Sequence, residues 1–172
     1  MTRRNMNQAG EDKGTGEVRV MKLPSRASVT KRGLGRICDM LGVAVVRNDA
    51  EFLRLVEEGL PPSSLDTLSR KIKLADIPVT ELSEIVIPRR TLAHRRKSNQ
   101  PLTRDESDRL VRVARIVALS EDVFADQAKA VSWLRRPKAS LGGKAPLAAI
   151  ATDTGARLVE TMLIQIDHGI VA

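Results

Sequence analysis

The chain has 172 residues, of which 42% are hydrophobic and only 2% aromatic, and its net charge is +8. This length suits one ordinary domain or two small helical ones, and an aliphatic core with so few rings argues for packed helices against a large β-sandwich. One cysteine, Cys38, excludes an intrachain disulfide and a cysteine-rich metal site, in keeping with a reducing compartment. No apolar run reaches spanning length and none follows the basic N-terminus, so a cytoplasmic location without membrane contact is expected.

The charge is unevenly placed. Residues 1–36 carry +6, 37–86 carry −4, 87–97 carry +5, 98–138 carry +2 and 139–172 carry −1. Positive charge gathered in a terminal arm and one short segment points to a local polyanion contact. The arm, residues 1–33, is rich in Gly, Lys, Arg, Asn and Gln and is expected to be flexible. Two uses stay open for it: lying along DNA phosphates, or remaining a solvated tail.

From Leu34 the apolar positions Leu34, Ile37, Cys38 and Leu41 follow helical spacing, and Gly42 stops it. Asn48 can cap a helix through Glu58 that ends at Gly59 and Pro61, and Ser63 or Ser64 opens another carrying Leu65, Leu68 and Ile72. Thr80 can cap a helix from Glu81 to Val86, Ile87-Pro88 turns the chain, and Arg89 to Lys97 forms a densely basic second helix. Two short helices joined by a tight turn, the second basic, make a helix-turn-helix pattern. Setting Leu92 toward the core puts Arg90, His94 and Lys97 on the opposite face, with Thr91 flanking it. The expected DNA contacts are therefore Arg90, Thr91, His94 and Lys97 toward the groove floor, and Arg89, Arg95 and Arg96 toward the phosphates.

Thr103-Arg-Asp-Glu106 is a capping box opening a helix with a wide apolar stripe, Leu110 to Leu119, expected to be the spine of the molecule. Ser120 can cap a further short turn holding Val123 and Phe124, and a helix around Trp133 ends at Pro137. Gly142-Gly-Lys144 suits a packing turn better than a phosphate cradle, since no Walker pattern or preceding strand is present. Pro146 starts a helix over Leu147 to Ala151. Asp153 or Thr154 caps the last one, whose face is Ala156, Val159, Met162, Leu163 and Ile166, with Gly169 as its stop. Leu158 and Ile164 widen its apolar surface, which leaves core packing and a partner interface both open. His94 and His168 are the only histidines, and neither sits in a catalytic or metal-ligand pattern, so no enzyme activity, cofactor or metal is expected.

From Phe52 to Ala172 the chain resembles the antitoxins that join an Xre-like helix-turn-helix to a ParS/MbcA-type toxin-binding domain, as in Xre/RES toxin-antitoxin pairs. The motifs are Gly59-Leu-Pro, Arg90-Thr-Leu-Ala-His-Arg-Arg, Leu102-Thr-Arg-Asp-Glu-Ser-Asp-Arg-Leu, Ala128-Lys-Ala-Val-Ser-Trp-Leu, Leu141-Gly-Gly-Lys-Ala-Pro-Leu, Thr154-Gly-Ala-Arg-Leu-Val and His168-Gly-Ile-Val-Ala. Ala125 stands where the family usually has a glycine after the phenylalanine. The resemblance implies an all-α fold, with a helix-turn-helix domain over residues 34–119 and a small toxin-binding domain over 120–172. It also implies a homodimer that represses its own operon at operator DNA and covers the active site of a RES-domain, NAD-consuming toxin. Carried over to this chain, the toxin-facing residues are Ile166, Asp167, His168, Gly169, Ile170, Val171 and Ala172. The competing expectation is a toxin-independent transcription regulator whose C-terminal domain only dimerises.

Overall fold

The computed structural model describes residues 26–72 and 79–169. Every described element is helical: α1 (Arg26–Leu41), α2 (Asp49–Glu58), α3 (Ser63–Lys71), α4 (Val79–Val86), α5 (Arg89–Lys97), α6 (Arg104–Phe124), α7 (Gln127–Arg135), a 3₁₀ turn (Ala139–Leu141), α8 (Pro146–Ala149) and α9 (Asp153–Asp167). The fold is all-α, as expected.

The longest helix, α6, is the spine. Its Leu110, Val113, Ala114, Ile116 and Val117 are buried, and α1, α2, α4, α7 and α9 all pack against it. The stripe is wide enough to serve two groups of partners. Leu65, Leu68, Leu82 and Val86 belong to the N-terminal group, and Leu134, Leu147, Val159 and Leu163 to the C-terminal one. Isolated helices of eight to ten residues are marginal in water, so α2 to α5 depend on this packing.

Local chemistry sets the boundaries. The capping box forms at the start of α6: Thr103 accepts from the Glu106 amide at 3.3 Å, and the Glu106 carboxylate accepts from the Thr103 amide at 2.7 Å. Gly59, with φ +98°, turns the chain out of α2, and a Cβ there would strike the Leu102 carbonyl oxygen. Leu60 is fastened by both backbone groups, its N–H donating to Ser107 Oγ at 2.9 Å and its carbonyl accepting from the Leu102 amide at 2.8 Å. The Gly59-Leu-Pro motif is thus a latch onto the first turn of α6.

Several boundaries differ from expectation. Helix α1 begins at Arg26, inside the stretch read as a flexible arm. Extending a helix already anchored by its buried Ile37, Cys38 and Leu41 is far easier than nucleating one. Residues 1–25 lie outside the described part. Helix α4 starts at Val79, one residue before the expected cap Thr80. Helix α6 runs through Ser120 to Phe124; the buried Ser120 hydroxyl donates to the Val117 carbonyl at 2.8 Å and back-bonds within the helix where a new cap was expected. The α9 cap is Thr152, ahead of the expected Asp153 or Thr154, and its hydroxyl oxygen accepts from the Gly155 amide at 3.1 Å. Helix α8 ends at Ala149, short of the expected Ala151.

Ala125 closes α6 in the left-handed conformation, φ 48° and ψ 20°. A side chain there costs about 1–2 kcal/mol that glycine avoids. Asp126 then caps α7, accepting from the Lys129 amide at 2.8 Å, so the two helices meet at a sharp corner. Gly155 makes the opposite demand for space: a Cβ would collide with the Ala149 carbonyl where α9 crosses the end of α8. In urea unfolding, Ala125→Gly should therefore raise stability by about 1 kcal/mol, and Gly155→Ala should lower it by about 2 kcal/mol. No gain from the first and no loss from the second would refute this account of the corner and the crossing.

Candidate functional site

The turn between α4 and α5 is short. Ile87 is buried, and Pro88, with φ −54° and ψ 137°, leads directly into α5. Leu92 is the anchor of α5 and is buried. Opposite it, Arg90, His94 and Lys97 are exposed, as is Arg89 at the helix start, while Thr91 is half-buried. None of these four exposed basic side chains takes part in an ion pair among the described residues. Two arginines at a helix N-terminus add positive charge to the positive end of its dipole, an arrangement that gains from an anion placed there.

Arg95 and Arg96 behave differently. Arg95 Nε lies 2.9 Å from Glu106 Oε2, Nη2 donates to Glu106 Oε1 at 3.3 Å, and Nη1 donates to the Pro101 carbonyl at 3.1 Å. The pair is largely buried, with side-chain exposures of 17% and 12%. Arg96 reaches across to Asp66 on α3 at 2.6 Å. Both were expected on phosphates; in the free protein both hold α5 to its neighbours, Arg95 through the same carboxylate that completes the α6 capping box. Arg109 was not singled out from the sequence. It is exposed on α6 and donates to the Val86 carbonyl at 3.4 Å, beside the turn that opens α5. Its signal is the helix spacing that sets it about one turn beyond the buried Glu106.

At the other end, α9 buries Ala156, Val159 and Leu163, and Arg115 fastens it to α6 through Glu160 at 2.7 Å. Met162 and Ile166 are only half-buried. Leu158 and Ile164 are each 49% exposed and flank the buried face on opposite sides, so they do not extend one continuous stripe. Asp167, His168 and Gly169 are exposed, and the last turn closes through the His168 amide on the Ile164 carbonyl and the Gly169 amide on that of Ile166, at 3.1 and 3.0 Å. Ile170, Val171 and Ala172 lie outside the described residues. No described helix is long and apolar enough to cross a membrane, and no cluster of metal-ligand side chains occurs among the described residues.

Known proteins divide the chain in the same two parts. Residues 51–115 match the antitoxin Xre-like helix-turn-helix domain, and residues 119–169 match the antitoxin Xre/MbcA/ParS C-terminal toxin-binding domain. An Antitoxin Xre of Pseudomonas putida is 36% identical over 134 residues, which cover 78% of this chain and 82% of that protein. One from Yersinia enterocolitica is 32% identical over 129 residues, covering 66% and 87%. A Prs ADP-ribosylating antitoxin of a Sphingobium species is 31% identical over 91 residues, covering 48% and 57%. With helix-turn-helix and toxin-binding parts in this order on one helical spine, the chain belongs to the Xre antitoxins, a family of non-enzymatic proteins.

Proposed function

We propose that this antitoxin neutralises a RES-type, NAD-degrading toxin by covering its active site with the end of α9 and the residues that follow, and represses its own operon through α5. It acts in the cytoplasm as a homodimer, two copies of α5 meeting two half-sites of the operator. The helix-turn-helix domain spans residues 34–119 and the toxin-binding domain residues 120–172.

The observation that carries the reading is the sorting of charge on α5. Arg89, Arg90, His94 and Lys97 are exposed and form no ion pair among the described residues, while Arg95 and Arg96 are engaged with acids of the same chain. The free set is the one that can reach base edges and phosphates, with Thr91 at its margin, and the engaged set aims the helix. Arg96, only half-exposed and in a single contact, can exchange Asp66 for a phosphate when DNA is present. For the toxin half, Ile166, Asp167, His168 and Gly169 lie where the chain runs out of α9, the segment from which Ile170, Val171 and Ala172 continue. One relative's name couples an antitoxin with ADP-ribosylation, and NAD is the usual donor of ADP-ribose, which supports a toxin with NAD chemistry.

Removing residues 169–172 should leave the melting temperature unchanged and abolish protection of cells producing the toxin from the adjoining reading frame. Undiminished protection would sink the role of the chain end. A chain that binds the operator yet never binds that toxin would turn the reading toward a regulator without a toxin.

On a duplex from its own promoter, Arg90→Ala should weaken binding by about 1–3 kcal/mol and relax base preference. Arg95→Ala should instead lower unfolding stability by about 2 kcal/mol, because it leaves the Glu106 carboxylate largely buried without its cation. Loss of DNA affinity at unchanged stability for Arg95→Ala would return that residue to the phosphate contacts.

A further inference from the structure

Basic side chains on α1, α3, α5, α6 and α9 include many that pair with acids. The stretch from residue 127 to 152 is different: it holds Lys129, Arg135, Arg136, Lys138 and Lys144 and no Asp or Glu. None of these five forms an ion pair among the described residues. The C-terminal end of α7 suits Arg135 and Arg136 through the helix dipole, and the nearest acid in sequence, Asp126, is engaged in capping α7 at the Lys129 amide.

Three of the five edge one groove of about 490 Å³. Lys129, Arg136 and Lys138 stand around it, with Ala128, Phe124 and Trp133 supplying apolar wall. The two rings lie 5.8 Å apart, tilted by 44°, and Lys138 Nζ sits 5.1 Å from the centre of the Trp133 ring. The elbow brings Lys144 alongside, since the Lys138 amide donates to the Lys144 carbonyl and the Gly143 amide to that of Lys138, both at 3.0 Å. Burial, and then the nearby Arg136 guanidinium, push the Lys138 ammonium below the ordinary lysine range. An anion in the groove would relieve both.

We infer that this groove is a second contact surface for the toxin, separate from the end of α9, and that it takes an acidic segment of that protein. Carboxylates would meet Lys129, Arg136 and Lys138, and an apolar or aromatic side chain would lie against Trp133 and Phe124. The inference rests on the toxin-binding reading given above. A protein segment fits better than DNA for two reasons. The groove lies in the half of the chain that matches a toxin-binding domain. It also opens at the Phe124 end of α6, about 27 Å along the helix axis from Glu106, where α5 is fastened. A concave site with an aromatic wall receives side chains, whereas the exposed cations of α5 suit a charged backbone.

The test uses the full-length chain, the toxin from the adjoining reading frame and a promoter duplex. Lys129→Glu/Arg136→Glu, which spares the packed Lys138, should weaken the toxin complex at least about tenfold while operator affinity and melting temperature stay unchanged. Lys129→Gln/Arg136→Gln removes charge without adding repulsion and guards against loss through misfolding. It should weaken the complex by about three- to fivefold and flatten its salt dependence. Toxin binding equal to that of the parent in both variants overturns the inference. So does loss of operator affinity with toxin binding intact, which would give the groove to nucleic acid. If the parent chain itself fails to bind the toxin, the toxin reading fails, and this inference with it.

Discussion

The fold depends on burying one stripe of α6. Leu110, Val113, Ala114, Ile116 and Val117 are all lost from solvent, and burial of each of the four larger side chains contributes about 1.5–3 kcal/mol against the entropy of ordering the chain. No other described helix touches both the N-terminal and the C-terminal groups so extensively. The short helices α2 to α5 and the four-residue α8 have no independent claim to stability, and their orientation follows from where they rest on this spine.

The two ends of the spine do different work with charge. At its start, Glu106 closes its own helix cap and holds Arg95, so the aim of α5 is set by a partly buried network and not by its exposed cations. The exposed cations of α5 pair with no acid among the described residues. At its end, the left-handed Ala125 and the Asp126 cap turn the chain into α7, which bears the acid-free run of basic residues. Ion pairs among the chain's own residues thus divide its basic side chains into those that position elements and those open to a ligand. A net charge alone does not make that division.

Most of the fold was legible in the sequence because its signals are local. The Thr103 to Glu106 capping box, the apolar spacing of α6 and the pairing of α4 with α5 are short-range patterns, and the structure has them where they were read. What stayed hidden required contacts across the fold. Ser120 reads as a cap until its burial and its bond to the Val117 carbonyl are seen. The bonds of Arg95 to Glu106 and of Arg96 to Asp66 span 11 and 30 residues, so no local pattern announces them. The groove beside Trp133 was hidden for the same reason, since Phe124 and Lys138 come together only after two helix ends and the elbow are folded. At the end of the chain, periodicity identified α9, but a partner for the residues beyond it is implied by the family motifs alone.

The central claim is that α6 is a single cooperative unit on which both surfaces are mounted. Native-state amide hydrogen exchange tests it most directly, by comparing the opening free energies of Val113, in the helix-turn-helix part, and Ser120, in the toxin-binding part. The account predicts one value for both, equal to the global unfolding free energy. Two distinct values, with one half of α6 opening while the other stays closed, would contradict it.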